Sequence, residues 1–144
     1  MRHLEVFIDG ASKGNPGKAG VGVVICREGE VVKNISEYIG VATNNCAEYR
    51  AFIRALEEAR SLGASELIVH TDSELLYRQI NKLYKVRHEN ILDLYTQATG
   101  LIAGFDKVRL VHVSREQNTG ADKLATLAVQ KHVKACTKVA SLRI

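Results

Sequence analysis

Apolar and polar positions change their period along this chain, and each change marks an element. Leu4, Val6 and Ile8 alternate with Glu5, Phe7 and Asp9, the period of two expected of a strand. The run Gly10-Ala11-Ser12-Lys13-Gly14-Asn15-Pro16-Gly17-Lys18-Ala19-Gly20 reads as turn chemistry, its glycines supplying unusual backbone angles. Val21 to Arg27 is a second strand rich in β-branched residues, and Glu28-Gly29-Glu30 turns it into a third over about 31–40. The short connections predict an antiparallel meander. The period then lengthens. Asn45 is placed to cap a helix over about 46–62, closed by Gly63. Leu67 to Thr71 is a fourth strand, and Ser73 to about Leu83 a second helix. A third helix over about Asn90 to Ala103 brings Ile91, Leu94, Tyr95, Ala98, Leu101 and Ile102 onto one face. Val108 to Val113 is a fifth strand, and Thr119 caps a last helix through about His132. The order β-β-β-α-β-α-α-β-α predicts an α/β fold, a mixed five-stranded sheet with flanking helices. Right-handed crossovers would make strands one, four and five parallel.

Four carboxylates stand out against this background. Asp9 closes strand one and Asp72 closes strand four. If these strands are parallel neighbours, both acids emerge at the carboxyl edge, where open α/β sheets place their sites. Either one alone reads equally well as a turn or cap residue. Glu48 shares a helical stripe with Phe52, Ala55, Ala59 and Leu62, so it lies on an apolar face. A carboxylate there is costly to desolvate unless a cation receives it, although complementing the helix dipole is an alternative. Asp122, three residues after Thr119, also fits a capping role. Four converging acids would repel one another, whereas hard divalent cations take such oxygen ligands. The set therefore points to a Mg²⁺ or Mn²⁺ site, and two such ions suit phosphoryl transfer.

The strings Phe7-Ile8-Asp9-Gly10-Ala11-Ser12-Lys13-Gly14-Asn15-Pro16-Gly17, Thr43-Asn44-Asn45-Cys46-Ala47-Glu48, Thr71-Asp72-Ser73 and Asn118-Thr119-Gly120-Ala121-Asp122-Lys123-Leu124-Ala125 resemble type 1 ribonuclease H in order and spacing. The resemblance spans residues 1 to about 130. It implies the ribonuclease H-like fold and endonucleolytic cleavage of the RNA strand of RNA–DNA hybrids, leaving 5′-phosphate and 3′-hydroxyl ends. By motif position, Asp9, Glu48, Asp72 and Asp122 are implied to hold two Mg²⁺ ions during catalysis, with Mn²⁺ as a substitute. Gly10, Asn15, Asn45 and Ser73 match positions that contact the hybrid, and Thr43 and Asn44 match positions linked to the DNA strand and its phosphate. Neutral donors and acceptors of this kind can read ribose 2′-hydroxyls across a wide minor groove. Double-stranded RNA as a further substrate stays open, as does a non-catalytic nucleic-acid-binding module on the same fold, although a pure binder gains nothing from a repulsive acid cluster.

Three departures from the family pattern matter. The loop before the last acid, Val113-Ser114-Arg115-Glu116-Gln117-Asn118, is short and carries no His. Arg115 takes the approximate place, as in a short archaeal and bacterial subset. Arg cannot serve as a base near neutral pH, so phosphate binding or charge stabilisation is its implied catalytic role. His70 and His112 are expected to be structural. The basic, Trp-containing extension of longer members is missing, leaving Arg78, Lys82, Lys85 and Arg87 as a reduced patch or an ordinary solvated helix end. Glu74 follows Ser73 where many members have Gln.

Composition and charge refine this picture. The 144 residues, 46% hydrophobic and 25% charged, fit one globular domain. With no Trp and 6% aromatics, base stacking is not the expected grip, which favours backbone recognition. The net charge of +4 resides in Lys131, Lys134, Lys138 and Arg143, leaving residues 1–130 neutral. Residues 1–130 therefore read as the catalytic domain, and 131–144 as a basic helical extension or tail. In the tail, Val129, Val133, Cys136 and Ala140 form an apolar stripe, with Leu142 and Ile144 docking on the body. No apolar run is long enough for a membrane span and no signal peptide is visible. The odd set Cys26, Cys46 and Cys136 argues against a disulfide framework. A cytoplasmic protein with no obligate protein partner is the expectation.

Overall fold

Strands β1 (His3–Gly14), β2 (Gly17–Arg27) and β3 (Glu30–Ala42) form the expected antiparallel meander. Helix α1 (Asn44–Ser61) then returns the chain so that β4 (Glu66–Thr71) pairs parallel to β1. Helices α2 (Glu74–Ile80) and α3 (Glu89–Ile102) lead to β5 (Lys107–His112), parallel to β4. The sheet order is β3-β2-β1-β4-β5, followed by a 3-10 turn (Arg115–Asn118) and helix α4 (Thr119–Leu142). This structure is a computed structural model. It describes residues 2–142, with side chains through residue 135. The roles expected for the side chains of Cys136, Lys138, Ala140, Leu142, Arg143 and Ile144 lie outside the described residues.

The period-two pattern becomes a core. Leu4, Val6 and Ile8 of β1 and Val21, Val23 and Ile25 of β2 are buried against Ala51, Phe52, Ala55, Leu56 and Ala59 of α1. The apolar face expected for α3 joins the same cluster through Ile91 and Ala98. On the opposite face, α4 lays Ala121, Ala125, Ala128 and Val129 over β2 and its neighbours.

Four boundaries differ from the sequence reading. The Gly10–Gly20 run is strand almost throughout, pairing from Gly10↔Val21 to Gly14↔Gly17, and the reversal is confined to Asn15 and Pro16. The reason is tertiary. A Cβ on Gly10 would stand 2.2 Å from the Ala47 carbonyl carbon, and one on Gly20 would stand 2.6 Å from the Ala125 oxygen. Glycine there lets α1 and α4 lie directly on the sheet. Thr43, not Asn45, caps α1, its Oγ1 accepting from the Cys46 N–H at 3.2 Å. Helix α2 ends at Ile80, and Lys82 takes a positive φ of 62° in the loop that follows. Thr119 is the first residue of α4 rather than its cap, because the preceding turn feeds straight into the helix. That turn is held by Gln117 Oε1, which accepts from the Ser114 N–H at 3.1 Å. Helix α4 then continues past residue 131 without a break.

A charged network fixes α1 to β3. Glu58 is 8% exposed, its carboxylate held by Lys33 and, at 3.0 Å, by Arg54, which also donates to Glu37 at 2.6 Å. The hydrogen bonds from Lys33 and then Arg54 hold the Glu58 carboxyl below its ordinary value of 4.5. A lowered folded pKa stabilises the fold above the unfolded value, and that contribution is lost as pH falls through the folded one. Glu58→Gln is expected to cost about 1–2 kcal/mol at neutral pH, discounted because Lys33 and Arg54 remain partly solvated. Urea denaturation between about pH 3 and 7 should show this deficit shrinking below about pH 4.5.

Candidate active site

Parallel pairing sets the first two acids side by side. Ile8 is the partner of Thr71, the last residue of β4, so Asp9 and Asp72 follow at the same level of the sheet. Asp9 stands inside β1 opposite Gly22, not at the strand's end, because β1 runs on to Gly14. Asp72 does leave its strand there. It enters a turn in which Ser73 caps α2, its Oγ accepting from the Leu76 N–H at 3.2 Å.

Glu48 enters from the buried face of α1, as its stripe required, and its Oε1 accepts from the Gly10 N–H at 2.6 Å. Asp9, Glu48 and Asp72 each offer an oxygen, and these oxygens lie within 4.8 Å of one another. Asp122, in the first turn of α4, completes the wall of the same cleft. Asn118 joins the two carriers of acids, donating from Nδ2 to the Ile8 carbonyl at 2.8 Å while only 1% exposed.

This cleft, about 350 Å³ in volume, is lined by Asp9, Gly10, Asn44, Asn45, Glu48, Asp72, Ser73, Arg115 and Asp122 together with Ala11 and Ser12. Asn15 and Thr43 lie instead on an adjoining cleft that shares Asn45. There Asn15 Oδ1 accepts from the Asn44 N–H at 3.0 Å, tying the hairpin turn to the start of α1. Lys85, Arg87 and His88 line this second cleft too. The sequence reading treated Lys85 and Arg87 as a reduced patch or helix end. Only the folding of the α2–α3 loop against the start of α1 brings them beside Asn15 and Thr43.

The electrostatics are those of a crowded, dry acid cluster. Burial, then the charge of Glu48, pushes the Asp9 carboxyl far above its ordinary value, with Asp72 adding to the effect. Burial likewise raises Glu48, opposed by hydrogen bonds from Asp9 and the Gly10 N–H and by the charge of Arg115. Glu48 Oε2 is buried with no hydrogen-bond partner among the described residues. An all-oxygen donor set with an orphaned carboxylate oxygen fits a hard divalent cation.

The two histidines divide. His70 packs as expected, its ring stacked on Phe7 with centroids 4.4 Å apart and Nε2 3.2 Å from Glu5 Oε2, though not in hydrogen-bond geometry. His112 is not ordinary strand packing. It is exposed, with Nε2 3.4 Å from the Asp72 carbonyl and its ring tilted against Tyr77.

Comparison with known proteins agrees with this geometry. Residues 7–128 match the family model described as "Reverse transcriptase-like". The Bifunctional protein Rv2228c of Mycobacterium tuberculosis is 43% identical over 123 residues, which cover 84% of this chain and 34% of that protein. The chain thus spans about a third of the length of that curated relative. The crystal structure of RNase H1 from the halophilic archaeon Halobacterium salinarum superposes with a TM-score of 0.88 at 37% identity, covering 90% of this chain and 98% of that one. LC11-RNase H1, solved in complex with RNA/DNA hybrid, gives 0.86 at 38% identity over 90% and 99% of the two chains.

Proposed function

This chain belongs to the type 1 ribonuclease H family, and we propose that it hydrolyses the RNA strand of RNA–DNA hybrids, leaving 5′-phosphate and 3′-hydroxyl ends. The observation that carries this reading is the convergence of oxygens of Asp9, Glu48 and Asp72 to within 4.8 Å of one another, with Glu48 Oε2 buried and unpartnered among the described residues. These three and Asp122 would hold Mg²⁺, with Mn²⁺ as a substitute. The chemistry supplied there by two divalent ions is activation of a water nucleophile and stabilisation of the departing 3′ oxygen.

The chain's own residues prepare the cleft for that chemistry. The Gly10 N–H fixes the rotation of Glu48, and Asn118 holds β1 against the start of α4, keeping Asp9 in register with Asp122. Because Thr43 takes the helix cap, the Asn45 side chain is free to meet ribose hydroxyls at the lip, and the Asn44 side chain to meet the DNA strand. Lys85 and Arg87 in the adjoining cleft suit the phosphates of the second strand. On this reading residues 1–130 are the catalytic domain and 131–144 a basic extension or tail, of which α4 includes the part through Leu142. No described helix is long and apolar enough to cross a membrane. Cys26 and Cys46 are free thiols, which fits a cytoplasmic setting.

Parallel assays on an RNA–DNA hybrid, an RNA duplex and a DNA duplex test the substrate. Cleavage of the RNA strand of the hybrid alone is expected, and cleavage of the DNA duplex would contradict the reading. Arg115, whose charge acts on Glu48, would stabilise charge developing on the scissile phosphate. Arg115→Ala is expected to lower kcat about a hundred-fold with little change in KM, and Arg115→Lys to recover part of it. A proportionate rise in KM instead would make Arg115 a binding residue only.

A further inference from the structure

We infer that the groove between the β1–β2 hairpin and α4 is a second nucleic-acid contact, holding the sugar-phosphate backbone of the cleaved strand beyond the scissile phosphate. The inference rests on the hydrolysis reading above. It starts from a register that costs the fold energy. Lys13 and Lys18 are direct cross-strand partners near the end of the hairpin, both exposed, and neither forms an ion pair among the described residues. Like charges directly opposite one another in an antiparallel pair are destabilising. An external anion would relieve that repulsion.

Helix α4 supplies the facing wall. Lys123, Thr126, Gln130 and Lys134 recur at helical spacing, all exposed, and form one stripe. Thr126 and Gln130 from this stripe meet Lys13, Ala11 and Ser12 around a cavity of about 160 Å³ whose lining contains no acid. Lys123 and Lys134 extend the stripe on either side, about 16 Å apart along the helix. Cationic side chains on both walls therefore flank a floor that includes Ala11 and Val129 together with the polar side chains of Ser12, Thr126 and Gln130.

The groove is continuous with the candidate active site. Ala11 and Ser12 line both the acid cleft and this cavity. Along β1, Lys13 lies four residues beyond Asp9, about 13 Å from it. A strand whose scissile phosphate sits at Asp9 can thus run past Ser12 and place a flanking phosphate at Lys13. Lys134, one turn beyond Gln130 on the same stripe of α4, carries the basic row past residue 130.

The test compares the wild type with the triple variant K13Q/K18Q/K134Q on two hybrids. One is about thirty base pairs long. The other ends about two base pairs, roughly 7 Å, beyond its single cleavable position on the side that leads to Lys13, short of the roughly 13 Å from Asp9 to Lys13. On the long hybrid the variant is expected to raise KM about ten-fold at unchanged kcat and to flatten the salt dependence of kcat/KM by about two to three counterions. On the short hybrid the two proteins should match, and K107Q/R109Q on β5 should behave as wild type throughout. An unchanged salt slope on the long hybrid, or an equal loss on both lengths, would overturn the groove. A wild type that cuts neither hybrid would overturn the hydrolysis reading itself. Equal melting temperatures for the variants confirm that folding is not the cause of any change.

Discussion

Asp9→Asn is expected to abolish cleavage while making the metal-free protein more stable. Losing one carboxylate from the cation-holding set removes several kcal/mol of charge stabilisation, a fall in rate of at least about a thousand-fold. The stability effect has the opposite sign. Burial and the neighbouring Glu48 raise the Asp9 carboxyl above its ordinary value of 3.8, so the folded state binds its proton more tightly than the unfolded chain does. Stability therefore falls as pH rises above about 4, and the metal-free fold carries that cost at neutral pH. Asn does not titrate. The gain should be about 1–2 kcal/mol and should grow with pH. Saturating divalent cation reverses the order, because the wild type gains about 2.7 kcal/mol at a hundred times its dissociation constant. Melting curves with chelator and with Mg²⁺ check both halves. A variant that melts below the wild type in chelator would contradict the repulsion argument.

Gly10→Ala is expected to damage fold and chemistry together. The added methyl would lie 2.2 Å from the Ala47 carbonyl carbon and 2.4 Å from the Glu48 nitrogen, all backbone atoms of α1. The first turns of α1 must then move away from β1. That movement lengthens the 2.6 Å hydrogen bond that orients Glu48. A cost of about 1–3 kcal/mol is expected from overpacking. An ångström of misplacement at Glu48 should lower kcat about a hundred-fold. Gly100→Ala is the control. A Cβ there meets nothing within 4 Å in the last turn of α3, so it should gain up to about 0.5 kcal/mol and leave activity alone. Equal behaviour of the two variants in urea denaturation and turnover would remove the close-approach argument.

These two positions also show what the sequence could and could not convey. The four acids were legible because their partners were. Strand periodicity at Leu4, Val6 and Ile8 and the β-α-β order put Asp9 and Asp72 on neighbouring parallel strands, and the helical stripe through Phe52 and Ala55 put Glu48 on the buried face. Gly10 and Gly20 misled because glycine serves turns and close approaches alike, and nothing local reveals that two helices cross there. Thr43 and Asn45 are both good caps, and only the backbone at Thr43 decided between them. The cationic surfaces were hidden for a third reason. Lys85 and Arg87 depend on the path of a loop, while Lys13, Lys18 and Lys134 depend on strand register and the line of α4 across the sheet. The +4 charge looked confined to the tail, yet the neutral body gathers its own lysines beside an acidic cleft.

In the proposed function, Asp9, Glu48, Asp72 and Asp122 hold divalent cations for cutting RNA paired with DNA. A hybrid carrying a 5′-labelled RNA strand, incubated with the full chain across a Mg²⁺ titration and with excess chelator, tests it most directly. The expected result is RNA cleavage that appears with Mg²⁺, saturates, vanishes in chelator and is absent in Asp9→Asn at every concentration. An RNA strand that stays intact in both Mg²⁺ and Mn²⁺, or one that is cut equally well in chelator, would contradict it.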